Sequence, residues 1–477
     1  VALHDNPWRA PIVQTRRVLL SFVMTSVLVL VFVDVAWLTL VGATALTLYL
    51  VLGWRQFGFG AWVPILLALG VLTVSLFGGV PGTVLMDGFG RMLFLAALIA
   101  LLGTLRSAAA LAREVSQAGA YLTGQPASRR YLALTFGGHL FGVLINFGGL
   151  ALLLDMAMRS MDTDDNRRMS AEIREVKLKR MTLAIVRGFS LISLWSPLGF
   201  ATNALLISMP GLTYLDFGPF GFAMSFVFVA IGWAVDRIEG RRFRGKALPR
   251  AAPPPGSALG AVLVVGHVVL VGGLVFLLHG LSPLGFQQAL ILLVPAYALL
   301  WSAVVGMGRP GGPTGAVVAA VRGAWVRLPD MGAEIGVFAA AGFASVVLPA
   351  LIPVDALRSL IAELALGPAI LAPGLSVAII GLAFIGVNPI VTSSVLGAIA
   401  SQLNVPGLGD PLIALAIIGG WGTVIGLSPF ITTVIFCSAI IRRPAARIGP
   451  IWNGPYCLAI FLAWWVVLGV LMAAGVL

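Results

Sequence analysis

Two apolar runs of bilayer length, residues 183–208 and 411–440, each carry a Ser-Pro pair near the middle: Ser196-Pro197 in one and Ser428-Pro429 in the other. A single crossing needs about 20 apolar residues, so each run spans a membrane once. Proline removes a helical N–H and drives the residue before it out of the α region, so neither run is one smooth helix. Backbone groups freed by such a break are costly at membrane depth unless protein, ion or a water-filled cavity satisfies them. A broken span is therefore expected to line a site.

The rest of the chain agrees with this. Of its 477 residues, 59% are hydrophobic and only 10% charged, which is the composition of a polytopic membrane protein. The formal charge of +12 would suggest a nucleic-acid partner in a soluble protein. Here the Lys and Arg fall in short loops between apolar runs, where they set orientation, and nucleic acid is not expected as a partner. Cys437 and Cys457 both lie in apolar runs, so neither a disulfide framework nor a metal-ligand spacing is available. No Walker motif, Ser/His/Asp arrangement or metal cluster points to an enzyme. The apolar run after the first 17 residues continues to about Leu52, too long for a signal-peptide core, so an uncleaved pair of spans is expected.

Eleven spans are expected, at 18–34, 36–53, 61–79, 92–111, 183–208, 212–234, 257–279, 285–305, 332–352, 411–440 and 455–476. Two further apolar runs, 131–157 and 376–403, hold Asn146-Phe147-Gly148-Gly149 and Asn388-Pro389 near their middles. Each is shorter than the roughly 40 residues that two crossings require, so each reads as a re-entrant hairpin. With the N-terminus cytoplasmic and the C-terminus external, every Lys and Arg except Arg91 and Arg358 falls inside or at an inner span end. The expected fold class is an all-α polytopic membrane protein, about 11 transmembrane helices plus two re-entrant hairpins.

The order of elements repeats. After an N-terminal segment and first span (1–35), three spans, a hairpin, a broken span and a closing span occur at 36–234 and again at 257–477, joined by a cytoplasmic linker at 235–256. The first copy starts from outside and the second from inside, so the topology is inverted. The charged stretch Arg159 to Arg180 is expected to be an amphipathic helix on the inner membrane surface.

A broken helix offers free carbonyls at the end of its first half and free N–H groups at the start of its second, suited to a cation and an anion respectively. The candidate substrate and ion ligands are accordingly Asn146, Gly148, Gly149, Ser196, Pro197, Gly199, Thr202, Asn203, Asn388, Thr392, Ser393, Ser428, Pro429, Thr432 and Thr433. Each Asn offers an acceptor and a donor, although any one alone could simply cap a half-helix. Asp155, Glu334 and His139 are candidates for proton coupling, since intramembrane titratable groups are functional hypotheses. His267 and His279 read as packing residues, Arg106 as snorkelling, and Trp195 and Trp421 as packing the helix elbows. None of the four breaks contains a basic residue, so an anion would be held there without a buried Lys or Arg.

These residues resemble the divalent anion/sodium symporters of the wider ion transporter superfamily, over nearly the whole chain after the first span. Where that family has Ser-Asn-Thr at its hairpin tips, this chain has Ile145-Asn146-Phe147 and Val387-Asn388-Pro389. The family's Thr-Pro-x-Gly-Thr-x-x-Asn corresponds to Ser196-Pro197-Leu198-Gly199-Phe200-Ala201-Thr202-Asn203, which keeps the Pro, Gly and Asn, and the second break keeps Ser428-Pro429. Asn388-Pro389-Ile390 is also similar to the large membrane subunit of the TRAP transporters. The resemblance implies a secondary active transporter in the bacterial inner membrane. It would move a small, organic anion by an elevator-type alternating-access mechanism and work as a homodimer surrounded by lipid. Coupling is expected to a cation gradient, with Na+ favoured over protons and no other cofactor. The alternative is a TRAP-type membrane subunit or a channel-like pathway in a larger complex.

Overall fold

The structure, a computed structural model, describes residues 9–161, 169–241 and 255–475. Among them there is no strand. The helices are α1 (Arg9–Leu30), α2 (Ala36–Gly53), α3 (Phe59–Phe77), α4 (Gly82–Leu102), α5 (Thr104–Leu111), α6 (Arg113–Thr123), α7 (Ala127–Ile145), α8 (Phe147–Met161), α9 (Ala171–Ser190), α10 (Ile192–Trp195) and α11 (Phe200–Ser208). They continue with α12 (Gly218–Gly240), α13 (Ser257–Leu281), α14 (Phe286–Gly306), α15 (Gly312–Arg327), α16 (Gly332–Leu351), α17 (Val354–Glu363), α18 (Pro368–Phe384), α19 (Pro389–Leu403), α20 (Asp410–Val424), α21 (Thr432–Ile441) and α22 (Gly454–Ala473). A π-helical turn, Arg447–Asn453, leads into α22.

Among the described residues, ten helical stretches are long and apolar enough to cross a membrane. The expected eleventh, 411–440, is divided into α20 and α21, each too short to cross alone. Other boundaries also differ from expectation. The span expected at 92–111 begins at Gly82, which places Arg91 within α4 and not in a loop. Residues 309–327 were expected as a basic loop, yet α15 occupies most of that stretch. The helix expected from 183 starts at Ala171, so residues 171–180 continue the broken span and are not a separate surface helix. Acidic partners make this extension favourable: Arg180 donates twice to Asp236, at 2.7 and 2.6 Å, and Lys179 lies 3.0 Å from Glu239. The expected linker loses residues 235–240 to α12, and its residues 242–254, like 162–168 of the charged insert, lie outside the described residues.

The helices group into two compact units. The first contains residues 9–111, Leu274–Val354 and Ile390–Ile399. Its centre is α16 against α3 and α4, where Val71, Phe343 and Val347 are buried together and the Phe89 and Phe343 rings lie 5.4 Å apart. Nearby, Tyr49 donates to the Leu328 carbonyl at 2.6 Å, and the buried Arg16 lies over its ring.

The second unit contains residues 112–161, 169–241, 255–273, Asp355–Pro389 and 400–475. It holds both broken spans, the first hairpin, the first arm and tip of the second hairpin, and both closing spans. The first half-helices, α20 and the later turns of α9, are buried all round, as expected for α20, which is apolar on every side, and in α9 this burial encloses Arg187. Glycine lets α7 and α9 touch backbone to backbone: a Cβ on Gly188 would lie 1.9 Å from the Thr135 carbonyl oxygen. This contact fixes the hairpin against the broken span.

Candidate functional site

Each break follows from its local sequence. Ser196 is extended (φ −61°, ψ 125°) because Pro197 follows it, α10 stops at Trp195, and α11 restarts after the extended Gly199. In the second run, α20 ends at Val424, and Ile431 (φ −80°, ψ 139°) precedes α21. At the first hairpin tip Asn146 adopts φ 49°, a positive value that Asn tolerates better than most residues, and its carbonyl accepts from the Gly149 and Leu150 N–H groups that open α8. The second tip turns through Gly386, φ 92°.

The second unit brings these breaks together. Phe147 at the first tip packs against Phe189 of α9, Phe200 at the start of α11 and Phe436 of α21, with ring centroids 5.3, 6.4 and 6.0 Å away. Ser428 of the second break donates to the Ala383 carbonyl beside the second tip at 2.7 Å, and its Oγ accepts from the Phe430 N–H at 3.2 Å. Asn388, with Pro389 after it, closes that tip. Gly426 fits against Val186 and Ser190 of α9, where an added Cβ would fall 3.3 and 3.2 Å from their side chains.

At the first break the freed carbonyls already have donors. The Asn203 amide donates to Pro197 and Gly199 at 3.0 and 2.9 Å, and the Tyr214 hydroxyl donates to Trp195 at 2.8 Å. What remains is a set of buried side-chain oxygens: Asn146 Oδ1, Ser196 Oγ, Thr202 Oγ1, Asn203 Oδ1 and, from the second break, Thr433 Oγ1 have no hydrogen-bond partner among the described residues. Ser196, Thr202 and Thr433 are 0% exposed and Asn203 1%. Such atoms cost about 1 to 3 kcal/mol each when unsatisfied, and their presence at two breaks and a hairpin tip calls for an explanation.

The other sequence candidates fall as follows. Gly149 is buried where the two hairpin arms meet, its Cβ position 2.5 Å from the Phe141 carbonyl, while Gly148 is half-buried. Pro197 and Gly199 are buried, Pro429 is half-buried and Thr432 is exposed. Thr392 and Ser393 are buried on the segment Ile390–Ile399, which belongs to the first unit, as does Glu334 in the first turn of α16. Asp155 is half exposed and paired with Arg159 four residues on, at 2.6 Å. His139 is buried beside the first break, where its Nε2 accepts from Trp195 Nε1 at 3.2 Å.

Sequence reasoning missed Arg187 and Asn453. Arg187, placed at the inner end of a span by its charge, is 2% exposed within the second unit. Its Nε donates to Asn453 Oδ1 at 2.8 Å, Nη1 reaches the Gly232 carbonyl at 3.4 Å, and its guanidinium lies 4.4 Å from the Tyr456 ring. The Asn453 amide in turn donates to the Gly426 carbonyl at 3.0 Å. The breaks themselves contain no basic residue, yet a buried arginine stands behind the second one: Arg187 contacts Asn453, whose amide reaches the Gly426 carbonyl. The signal was present in the sequence, since Arg187 stands nine residues before Ser196, well within a bilayer-length run.

With this geometry in view, comparison with solved structures finds the same architecture. The chain matches the Alcanivorax borkumensis YdaH transporter, described as having an unusual topology, with a TM-score of 0.55 and 18% identity over 85% of this chain and 89% of that one. The chain shares a transporter's fold. No family model and no curated protein matches it.

Proposed function

We propose that the protein is a secondary active transporter that moves a small, organic anion by alternating access, coupled to a cation gradient. The observation that carries this reading is the cluster of partnerless buried oxygens at the breaks: Asn146, Ser196, Thr202, Asn203 and Thr433. Three half-helices of the same unit, α8, α11 and α21, begin there, each with free N–H groups and a positive dipole end suited to an anion. The Ser196, Thr202 and Thr433 hydroxyls can donate to the same anion, whereas Asn146 Oδ1 and Asn203 Oδ1 can only accept and so suit a cation.

Coupling follows from what the breaks lack. Residues 145–149, 195–203, 384–389 and 425–433 contain no Asp or Glu. A cation bound among them has no fixed countercharge there, and a buried unpaired ion is strongly disfavoured. An anion bound beside it supplies that charge, so each ligand favours the other. In this reading Na+ is the coupling ion, and the second unit carries both ligands across while the first unit serves as scaffold.

The test is a ligand panel scored by thermal stabilisation of the purified protein, with and without sodium, followed by uptake into proteoliposomes. The reading expects an anion that stabilises more strongly in sodium than in choline, and uptake by this chain alone. Uptake that needs a separate binding protein would favour the TRAP-type alternative. Uptake that follows a pH gradient and ignores sodium would shift coupling to protons, with His139 the first residue to examine.

A further inference from the structure

Arg187 is a full positive charge 2% exposed in a membrane-spanning helix, and among the described residues no carboxylate pairs with it. Burying an arginine without a carboxylate partner is costly, so its presence asks for a purpose. Its surroundings hold it in part, since its Nη2 is buried with no hydrogen-bond partner among the described residues. One face lies 4.4 Å from the Tyr456 ring, Tyr131 lies 5.9 Å away, and two oxygens, Asn453 Oδ1 and the Gly232 carbonyl, receive its N–H groups. Through Asn453 the charge is relayed to the Gly426 carbonyl, the first half's exit at the second break, which is where a broken helix presents acceptors to a cation.

We propose that the Arg187 guanidinium, acting through Asn453, takes the place of a coupling cation at the second break, so that only the first break binds sodium. The inference rests on reading the breaks as the ion and anion site, and it adds the number of coupling ions. A fixed charge moves with the protein in both directions and is never released, so it lowers the cost of carrying an anion without adding to the coupling. Arg187 is in this sense a positioning residue: it holds Asn453, and Asn453 holds the carbonyl. The two breaks are alike in sequence at Ser-Pro and differ here. At the first break the carbonyl just before Ser-Pro, that of Trp195, is held by the neutral Tyr214 hydroxyl, and Asn146 Oδ1 and Asn203 Oδ1 are left open.

The experiment is a sodium titration of melting temperature at constant ionic strength, with choline as the replacement and the full chain in detergent. Four proteins are compared: wild type, Arg187→Gln, Arg187→Lys and Asn203→Ala. Wild type should gain about 2 °C or more across 1 to 100 mM sodium, with a single-site curve, and Asn203→Ala should lose that gain. Arg187→Gln should show an additional sodium-specific gain, because the Gly426 carbonyl and Asn453 Oδ1 are released to a mobile ion. Arg187→Lys, which keeps the charge, should behave as wild type. A purely structural Arg187 would lower the melting temperature of both variants equally without changing the sodium response, and that result overturns the proposal. Sodium stabilisation that persists in Asn203→Ala with Arg187 intact also overturns it, even if Arg187→Gln fails to fold, because the ion would then bind where the guanidinium is said to stand. Absence of a sodium response in wild type and Arg187→Gln alike overturns both the reading of the breaks as a sodium site and the proposal built on it, whereas a response confined to Arg187→Gln overturns only sodium binding at the first break and supports the guanidinium's standing in for a cation at the second.

Discussion

The two broken spans share a Ser-Pro pair and differ in nearly everything that pair touches. At the first, Ser196 Oγ has no partner among the described residues, and the Pro197 and Gly199 carbonyls are satisfied from within the same span by the Asn203 amide, with Tyr214 holding that of Trp195. At the second, Ser428 Oγ is fully engaged, donating to Ala383 and accepting from Phe430, and the Gly426 carbonyl is held from outside by Asn453 with Arg187 behind it. The first break leaves side-chain oxygens without partners, whereas at the second Ser428 is engaged and Thr433 Oγ1 is left without one among the described residues. Internal repetition thus preserves the interruption of a helix while leaving its chemistry free to diverge.

The largest expected effects on stability come from disturbing the caps. Asn203→Ala removes the donor to two buried carbonyls and should cost about 1 to 3 kcal/mol in addition to the lost sodium response. Gly426→Ala should cost about 1 to 3 kcal/mol, because the new Cβ would lie 2.8 Å from Asn453 Nδ2, and it should disturb only the second break. Both are read by denaturant or thermal melts of the purified protein. A sharper contrast comes from the two serines. Ser428→Ala should destabilise by about 0.5 to 1.5 kcal/mol through loss of its hydrogen bonds, whereas Ser196→Ala should leave the melt unchanged or raised and weaken the anion instead. Equal losses of stability in the two would erase the distinction drawn here. Smallest of all, Glu175→Gln, which breaks a partly exposed pair with Arg443 at 2.6 Å, should change stability by less than about 1 kcal/mol and leave both breaks as they are.

Much of this architecture could be read from the chain. Pro197 and Pro429 favour interruptions, although α3, α14 and α16 run on through Pro64, Pro295 and Pro349, and the short runs around Asn146 and Asn388 leave no room for two crossings. The charged turns of α9 could not be read in this way, because their helical state depends on Asp236 and Glu239, more than 50 residues away. The helix α15 was hidden inside a basic stretch. At the site, the polar residues at the breaks were visible as types, but which of them are satisfied was not. Ser196 and Ser428 look alike until the Ala383 carbonyl is found beside one of them. Arg187 was read by its charge as an interfacial residue, because only Tyr456, Gly232 and Asn453, all remote in sequence, show that it is enclosed.

The central claim, that the first break with the Asn146 tip holds the transported anion and its ion, is tested most directly by uptake through Asn146→Gly. Glycine keeps the positive φ of 49° that alanine would strain, so the substitution removes the amide and spares the backbone. The account predicts that purified Asn146→Gly, reconstituted in proteoliposomes under a sodium gradient, melts within about 1 kcal/mol of wild type, because its Oδ1 has no partner to lose, yet takes up the stabilising anion at least about tenfold more slowly. Uptake at the wild-type rate by this variant, or a ligand panel in which only cations stabilise the protein, would contradict it.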